Sequence, residues 1–221
     1  MISLDPVTHT YSSEDGQPYV AVSRVLEALK LTPPFPEEDP KGLKEFGSAI
    51  HRAVELASWD NLDMDPNNPA FPPDKRTHPE LIPFVNGFLE KKEEMRIRPI
   101  KTELRVWDGV QYIAGTLDFL GLVYNGDLAI IDYKSGTPPP CCELQTAGYV
   151  MLLIWMYKNG IVRGGENGFP DIRVSADKIR RFSMKLTPNR AIVKEYTDDL
   201  DLHAWEGAVS LYKWLKERRK T

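Results

Sequence analysis

Cysteine is nearly absent from this chain of 221 residues. The only two cysteines, Cys141 and Cys142, are adjacent, so they cannot form the spaced bridges that hold a small disulfide-rich domain together. A four-cysteine iron–sulfur site is excluded for the same reason. The chain is 42% hydrophobic, which is ordinary for a globular protein, and its length suits one domain with a sizeable core.

Long apolar runs and an excess of positive charge are also missing. No stretch approaches the roughly 20 apolar residues of a membrane span, and the first residues lack the basic start and hydrophobic centre of a signal peptide. We therefore expect a cytoplasmic protein without a membrane partner. The formal net charge is −4, whereas nucleic-acid interfaces are usually basic, so any attraction for a polyanion must come from local patches.

The run from Ile130 to Lys134 predicts an apolar strand that carries charge only at its exit end. Successive side chains of a strand point to opposite faces, so Asp132 and Lys134 project together. Ile131 and Tyr133 face the other way. A charged pair at the end of an apolar strand often indicates a functional site, although a surface ion pair explains these residues alone equally well.

Asp118 joins this pair only if the preceding turn has the right length. Asn125-Gly126 is a signal for a two-residue hairpin turn, which would place Asp118 opposite Tyr133. A three-residue loop, Tyr124 to Gly126, places Asp118 opposite Asp132 instead. Gly126 can be left-handed in such a bulge at no steric cost, because glycine lacks a Cβ. We predict the bulged hairpin.

Two carboxylates at this spacing indicate a cation site, because they repel each other unless a cation lies between them. Oxygen ligands suit a hard ion such as Mg²⁺ or Mn²⁺. That ion can polarise a phosphate oxygen and lower the pKa of a bound water. Lys134 would orient or deprotonate the water, or bind the phosphate as a point charge. Asp118, Asp132 and Lys134 therefore indicate a metal-dependent site that cuts phosphodiesters.

The residues around these three resemble a known family. Its motifs occur here in order as Phe46 to His51, Gly115 to Asp118, Asp132 to Gly136, and Gln145 with Tyr149. Over about residues 46 to 149 the chain resembles the RecB-like exonuclease branch of the PD-(D/E)XK nuclease superfamily, in the phage type without an iron–sulfur cluster. The resemblance implies an α/β (α+β) fold with a restriction-endonuclease-like core, a mixed central β-sheet flanked by helices.

The resemblance implies a role for each acid and for the lysine. Asp118 and Asp132 match the metal-binding acids, and Lys134 matches the catalytic lysine. Aspartate at position 132 replaces the glutamate that is frequent there, and Leu117 replaces the proline before the first acid. Both departures are common in the branch.

Further roles come from the same resemblance. His51 matches a helical histidine that ligates the metal, and the backbone carbonyl of Tyr133 would also reach the ion. Gln145 and Tyr149 match a helical motif that positions the substrate. Because they are four residues apart, they share one helix face.

His51 also has an interpretation independent of the family. Asp39-Pro40 is a favourable helix start, and apolar residues then follow at helical spacing, namely Leu43, Phe46, Ile50, Val54 and Ala57. Gly47 is a poor helix former one turn before His51, so we expect something to pack or bind beside the histidine. A histidine on such a helix flank, taken alone, is more often structural.

Two glutamates are secondary candidates. Glu103 precedes the first acid on an alternating strand whose apolar side is Leu104 and Val106, and related nucleases often have a glutamate near this point. An outward-facing carboxylate explains it equally well. Glu55, one helical turn after His51, would hold the imidazole tautomer, unless it is a solvated helix residue.

The remaining pattern completes a single domain, residues 1–221. Residues 1–45 predict a hairpin around Asp15-Gly16 and a short helix from Ser23, residues 46–160 the catalytic core, and residues 161–221 a hairpin and a closing helix. Within the core, Thr77 to Glu80 predicts a capping box at a helix start. Residues 140–158 predict a long buried helix.

One strand of the final hairpin has a basic face. Arg181, Ser183 and Lys185 alternate with apolar residues, and Lys194 lies on the return strand. Such a face would track a phosphate backbone, although a solvated sheet edge is the simpler interpretation.

The resemblance implies a Mg²⁺- or Mn²⁺-dependent deoxyribonuclease, most often an exonuclease on DNA ends or single strands, in recombination, repair or phage DNA processing. It would bind one or two ions and no iron–sulfur cluster. A recombinase, helicase or single-strand-binding protein would be the protein partner, and the host cytoplasm the location of a phage-encoded enzyme. The alternatives are a structure- or sequence-specific endonuclease of the same fold and a module that holds DNA ends without cutting.

Overall fold

The structure, a computed structural model, describes residues 2–5, 8, 10–32, 42–165, 169 and 178–218. The helices and strands of these ranges are β1 (Ile2–Asp5), β2 (Thr10–Ser13), β3 (Pro18–Ala21), α1 (Val22–Ala28), α2 (Leu43–Ser58), α3 (Ile82–Met95), β4 (Arg98–Asp108), β5 (Ile113–Val123), β6 (Asp127–Lys134), α4 (Cys142–Lys158), β7 (Arg180–Thr187), β8 (Arg190–Tyr196) and α5 (Leu200–Arg218). The predicted helix start at Asp39-Pro40 lies outside the described residues.

The strands form one mixed sheet. Their order is β1-β2-β3-β5-β6-β7-β8, and β4 pairs with β5. The β3–β5 and β6–β7 pairs are parallel, and the other pairs are antiparallel. Residues of α1, α4 and α5 share one apolar cluster on the sheet, and residues of α2 and α3 share another. This confirms the predicted α/β fold, a restriction-endonuclease-like core with a mixed sheet between helices.

Strand β6 separates the two apolar clusters by simple alternation. Ile130 packs with the cluster that contains α4, whereas Ala129, Ile131 and Tyr133 pack with α2 and α3. All four side chains are at most 1% exposed, and full burial of a large apolar side chain contributes roughly 1.5–3 kcal/mol. No helix of the described ranges, α4 included, is long and apolar enough to cross a bilayer.

The β5–β6 hairpin has the predicted three-residue loop. Val123 pairs with Asp127, which leaves Tyr124, Asn125 and Gly126 between the strands. Gly126 has a φ of 110°, a conformation that glycine adopts without steric cost. The two-residue alternative is therefore wrong, and the opening hairpin around Gly16 also forms as predicted.

Two predicted helix starts are corrected. Thr77 is not a capping residue, because its hydroxyl donates to the Asp63 carbonyl at 2.8 Å. His78 Nδ1 accepts from the Glu80 amide instead, at 3.4 Å, and a 3₁₀ turn precedes α3. Ser23 is not an N-cap either, because β3 runs directly into α1, whose N-cap residue makes no side-chain bond.

Half of the basic strand face is buried and is not available to phosphates. Arg181 and Ser183 are each 3% exposed, whereas Lys185 is half-buried and Lys194 is exposed. The Arg181 guanidinium donates to the carbonyl of Glu143 on α4 and to the carboxylate of Asp201 on α5. The alternation was predicted correctly, but the helices that cover this face were not.

Candidate active site

The sheet opens along one edge of β5, where the partner strand changes. β3 pairs with β5 at Ile113 and Ala114, and β6 pairs with it from Phe119 to Val123. Residues 115–118 lie between these two pairings. We call this opening the fork.

Asp118 lies in the fork, against the backbone of β6. Its Oδ2 accepts a hydrogen bond from the Tyr133 amide at 2.6 Å, so a carboxylate takes the position of a ladder carbonyl. The strand alternation is also interrupted here, because Leu117 and Phe119 pack in different clusters although they are two residues apart. Asp118 and Asp132 therefore approach across the fork rather than as a regular ladder pair.

His51 approaches Asp118 from α2. Its Nδ1 is 3.7 Å from Asp118 Oδ1. Burial alone would lower the pKa of His51, but the nearby carboxylate of Asp118 outweighs burial, and the pKa is raised. Gly47 lets α2 come this close, since a Cβ there would lie 2.7 Å from Ser135 Oγ. This confirms that something packs beside the histidine, and Ser135 is a contact that the sequence reasoning missed.

Asp132 and Lys134 form an ion pair at the end of β6. Asp132 Oδ2 is 2.6 Å from Lys134 Nζ, but the contact lacks hydrogen-bond geometry, so this oxygen is buried without a hydrogen bond. Burial raises the pKa of Asp132 and the charge of Asp118 adds to it, against the opposing effect of Lys134. Burial lowers the pKa of Lys134, but the two acids outweigh this and raise it.

Lys134 continues into a chain of hydrogen bonds on α4. Its Nζ donates to Gln145 Oε1 at 3.1 Å, and Gln145 Nε2 donates to the Tyr149 hydroxyl at 2.9 Å. The Tyr149 ring packs on Gly115 so closely that a Cβ there would lie 2.6 Å from it. The role of Gly115 was missed, although a glycine inside a strand is a signal of close approach.

The two secondary glutamates lie on the α2 side of the fork. Glu103 is opposite Asp118 in the β4–β5 register, but this pair is missing from the ladder, and Glu103 has a φ of 49°. Partial burial of its carboxyl group, then the charges of Asp118 and Glu55, raise the pKa of Glu103 to about 7. Glu55 bonds to Thr102 and Arg52 rather than to His51.

The donor set fits a hard cation bound mostly by water. Within the described ranges, no three histidine, cysteine, aspartate or glutamate side chains are placed to enclose a metal ion. Mg²⁺, however, usually binds one or two carboxylates and keeps several waters, so a closed protein cage is not needed. The buried Asp132 oxygen without a hydrogen bond and the neighbouring carboxylate of Asp118 match that requirement.

Comparison with solved structures finds weak similarity to exonucleases. A Eubacterium rectale protein with exonuclease in its name is 12% identical, with 87% of this chain and 77% of that chain covered and a TM-score of 0.45. The alkaline exonuclease LHK-Exo of Laribacter hongkongensis is 12% identical, with 91% and 93% covered and a TM-score of 0.33. LHK-Exo in complex with dAMP is 14% identical, with 91% and 89% covered and a TM-score of 0.36.

No protein-family model matches the chain, and no curated protein matches it in sequence. With TM-scores of 0.45 and below, the function has to be argued from the side chains at the fork.

Proposed function

We propose that this protein is a Mg²⁺- or Mn²⁺-dependent deoxyribonuclease, an exonuclease that hydrolyses DNA ends or single strands. The observation that carries the proposal is a continuous cluster built from four elements. His51 of α2 contacts Asp118 of β5, Asp118 bonds to the backbone of β6, and Lys134 of β6 links Asp132 to Gln145 of α4.

The ion would be held by His51, Asp118, Asp132 and the backbone carbonyl of Tyr133. When bound, it would supply a Lewis acid for a phosphate oxygen and lower the pKa of a water. Cleavage would be direct attack of that water on phosphorus, with the 3′ or 5′ oxygen leaving and no covalent intermediate.

Lys134 has N–H donors to offer to the substrate. An ammonium group has three N–H donors, and its hydrogen bond within the described residues, to Gln145, uses one of them. A remaining N–H would donate to a phosphate oxygen or to the attacking water. Gln145 and Tyr149 hold the ammonium group in place, so they act as positioning residues.

The biological setting rests on the resemblance to the RecB-like branch. It favours an exonuclease over an endonuclease, in recombination, repair or phage DNA processing beside a recombinase, helicase or single-strand-binding protein. The paired acids Asp118 and Asp132 favour cutting over a module that only holds DNA ends, because clustered carboxylates repel a phosphate backbone unless a cation is bound.

Linear and circular DNA, each in single- and double-stranded form, separate these functions. The substrates would be end-labelled and incubated with Mg²⁺, Mn²⁺ or EDTA. We expect metal-dependent loss of linear DNA only. Cleavage of both forms would indicate an endonuclease, and binding without cleavage would indicate an end-holding module.

A further inference from the structure

Arg105 is an exposed cation beside the acidic fork. It lies on β4, the strand that carries Glu103, and its side chain is exposed. In the part of the chain that the structure describes, no hydrogen bond or ion pair engages its guanidinium. An arginine of this kind is available to a ligand without the loss of an internal contact.

Its position relative to the fork follows from the strand register. Arg105 pairs with Thr116 across β4 and β5, and cross-strand partners share a face. Thr116 bonds to the Tyr11 hydroxyl at 2.9 Å, so Arg105 lies on the face covered by the amino-terminal hairpin. Along β4 it is two positions from Glu103, a distance of about 7 Å, and Asp118 is its diagonal neighbour on β5, about 7–8 Å away in a regular ladder.

The charges around Tyr11 support this placement. Burial raises the pKa of the Tyr11 hydroxyl, and the charges of Arg105, Glu103 and Asp118 all act on the same group. The Tyr11 hydroxyl is therefore near enough to both the exposed guanidinium and the acids of the fork for their charges to affect its pKa.

Lys134 serves the phosphate that is cleaved in the proposed reaction, and two arginines near the fork are not available to a neighbouring phosphate. Arg52 is paired with Glu55, and Arg181 is buried under α4 and α5. A guanidinium is suited to the task, because its planar N–H groups bind a phosphate through two parallel hydrogen bonds.

We propose that Arg105 binds the DNA backbone phosphate next to the one that is hydrolysed, and so sets the register of the strand at the fork. This proposal rests on the proposed nuclease function. Arg105 would be a positioning residue, since it touches the strand beside the reacting bond and not the reacting atoms.

The first test measures binding without cleavage. Affinity of a fluorescent single-stranded oligonucleotide is measured by anisotropy for Arg105→Gln and for the control Arg98→Gln, with Ca²⁺, another oxygen-binding cation, in place of Mg²⁺. Arg98 is exposed on the same strand, seven residues and about 23 Å away from Arg105. We expect roughly tenfold weaker binding for Arg105→Gln only. The slope of log K against log[salt] should also become shallower by about 0.7, the value for one lost phosphate contact on a single strand. Arg105→Lys should retain the salt dependence, and thermal melting checks the fold of each variant.

The second test locates the contact. A single neutral methylphosphonate is placed at successive linkages of the oligonucleotide, and cleavage is followed. A methylphosphonate next to the cleaved bond should raise the KM of the wild-type protein about tenfold with little change in kcat. The same linkage should have no further effect on the KM of Arg105→Gln. A 5′-hydroxyl in place of a 5′-phosphate should affect the two proteins equally or not at all, and a loss of affinity in the wild-type protein that Arg105→Gln does not show would assign Arg105 to the terminal phosphate and overturn the proposal.

The two proposals fail in different ways. If the wild-type protein cleaves DNA and Arg105→Gln matches Arg98→Gln in KM and salt dependence, the phosphate contact is wrong and the nuclease stands. If the wild-type protein does not cleave but binding still depends on Arg105, the nuclease is wrong and the contact stands.

Discussion

The β7–β8 hairpin and the fork differ in how completely their charged side chains are paired. In the hairpin, Arg180 makes two hydrogen bonds to Glu195 and one to Asp127, and its guanidinium lies over the rings of Tyr124 and Phe182. Beside it, the buried Arg181 is paired with Asp201 and with two backbone carbonyls. The charges of these arginines are matched by partners within the fold.

At the fork, by contrast, several charged groups are not fully matched by partners within the fold. Asp132 has a buried oxygen without a hydrogen bond, Glu103 has a raised pKa and a left-handed backbone, and Arg105 is exposed beside them. Perturbed and unmatched groups cluster where a protein binds or reacts, whereas matched groups stabilise the fold. The comparison indicates a structural role for the hairpin and supports the fork as the proposed site.

The largest effect is expected from removal of charge at the fork. Asp118→Asn, Asp132→Asn and Lys134→Ala should each reduce cleavage roughly 10³-fold. The melting temperature should change little for the two Asn variants, but it should fall for Lys134→Ala, which leaves the buried Asp132 without its ion partner, so cleavage is compared per folded molecule. Lys158→Ala is the control, because Lys158 is exposed at the far end of α4, 13 residues and about 20 Å from Gln145. Full activity in any of the three variants would remove that residue from the mechanism.

In the β7–β8 hairpin, removal of charge should reduce stability and leave cleavage unchanged. Arg181→Met leaves the Asp201 carboxylate without its buried partner, so the free energy of unfolding in urea should fall by about 3 kcal/mol. Cleavage per folded molecule should not change. Arg180→Met, at a more exposed position, should reduce the free energy of unfolding by less. If both variants are equally stable, the buried pair does not support the fold.

The loop that joins β5 to β6 sets the register of the fork. Gly126→Val places a branched side chain at a positive φ and should cost about 1–2 kcal/mol of stability, as measured by chemical unfolding. Asn125→Ala, one position earlier, serves as the control and should be close to neutral. A neutral Gly126→Val would contradict the bulged turn.

The smallest effect tests the strain at Glu103. Glu103→Gly should raise the free energy of unfolding by about 1 kcal/mol, because glycine accepts a positive φ without strain. Lys194→Gly, at a regular position of the β7–β8 ladder, should lower it. If both variants lose the same free energy of unfolding, Glu103 is not strained in solution.

The β5–β6 register was predictable because it depends on a short turn and on one glycine. Alternation along β6 was predictable for the same local reason. The fork was not, because it arises where β3 and β6, distant in sequence, share one edge of β5. The burial of Arg181 was not predictable either, since periodicity tells which residues share a face but not which helix covers it. The predicted roles of His51, Asp118, Asp132 and Lys134 in catalysis remain predictions that the mutants above would test.

The fork has a mechanical consequence. The strands β1–β3 and the strands β6–β8 do not pair with each other, and both groups attach to the sheet through β5. Bending between the two groups would meet the least resistance at residues 115–118, where one edge of β5 is unpaired and only the β4 ladder on the other edge supports it. A displacement of the amino-terminal hairpin relative to β6 would therefore change the width of the fork beside Asp118.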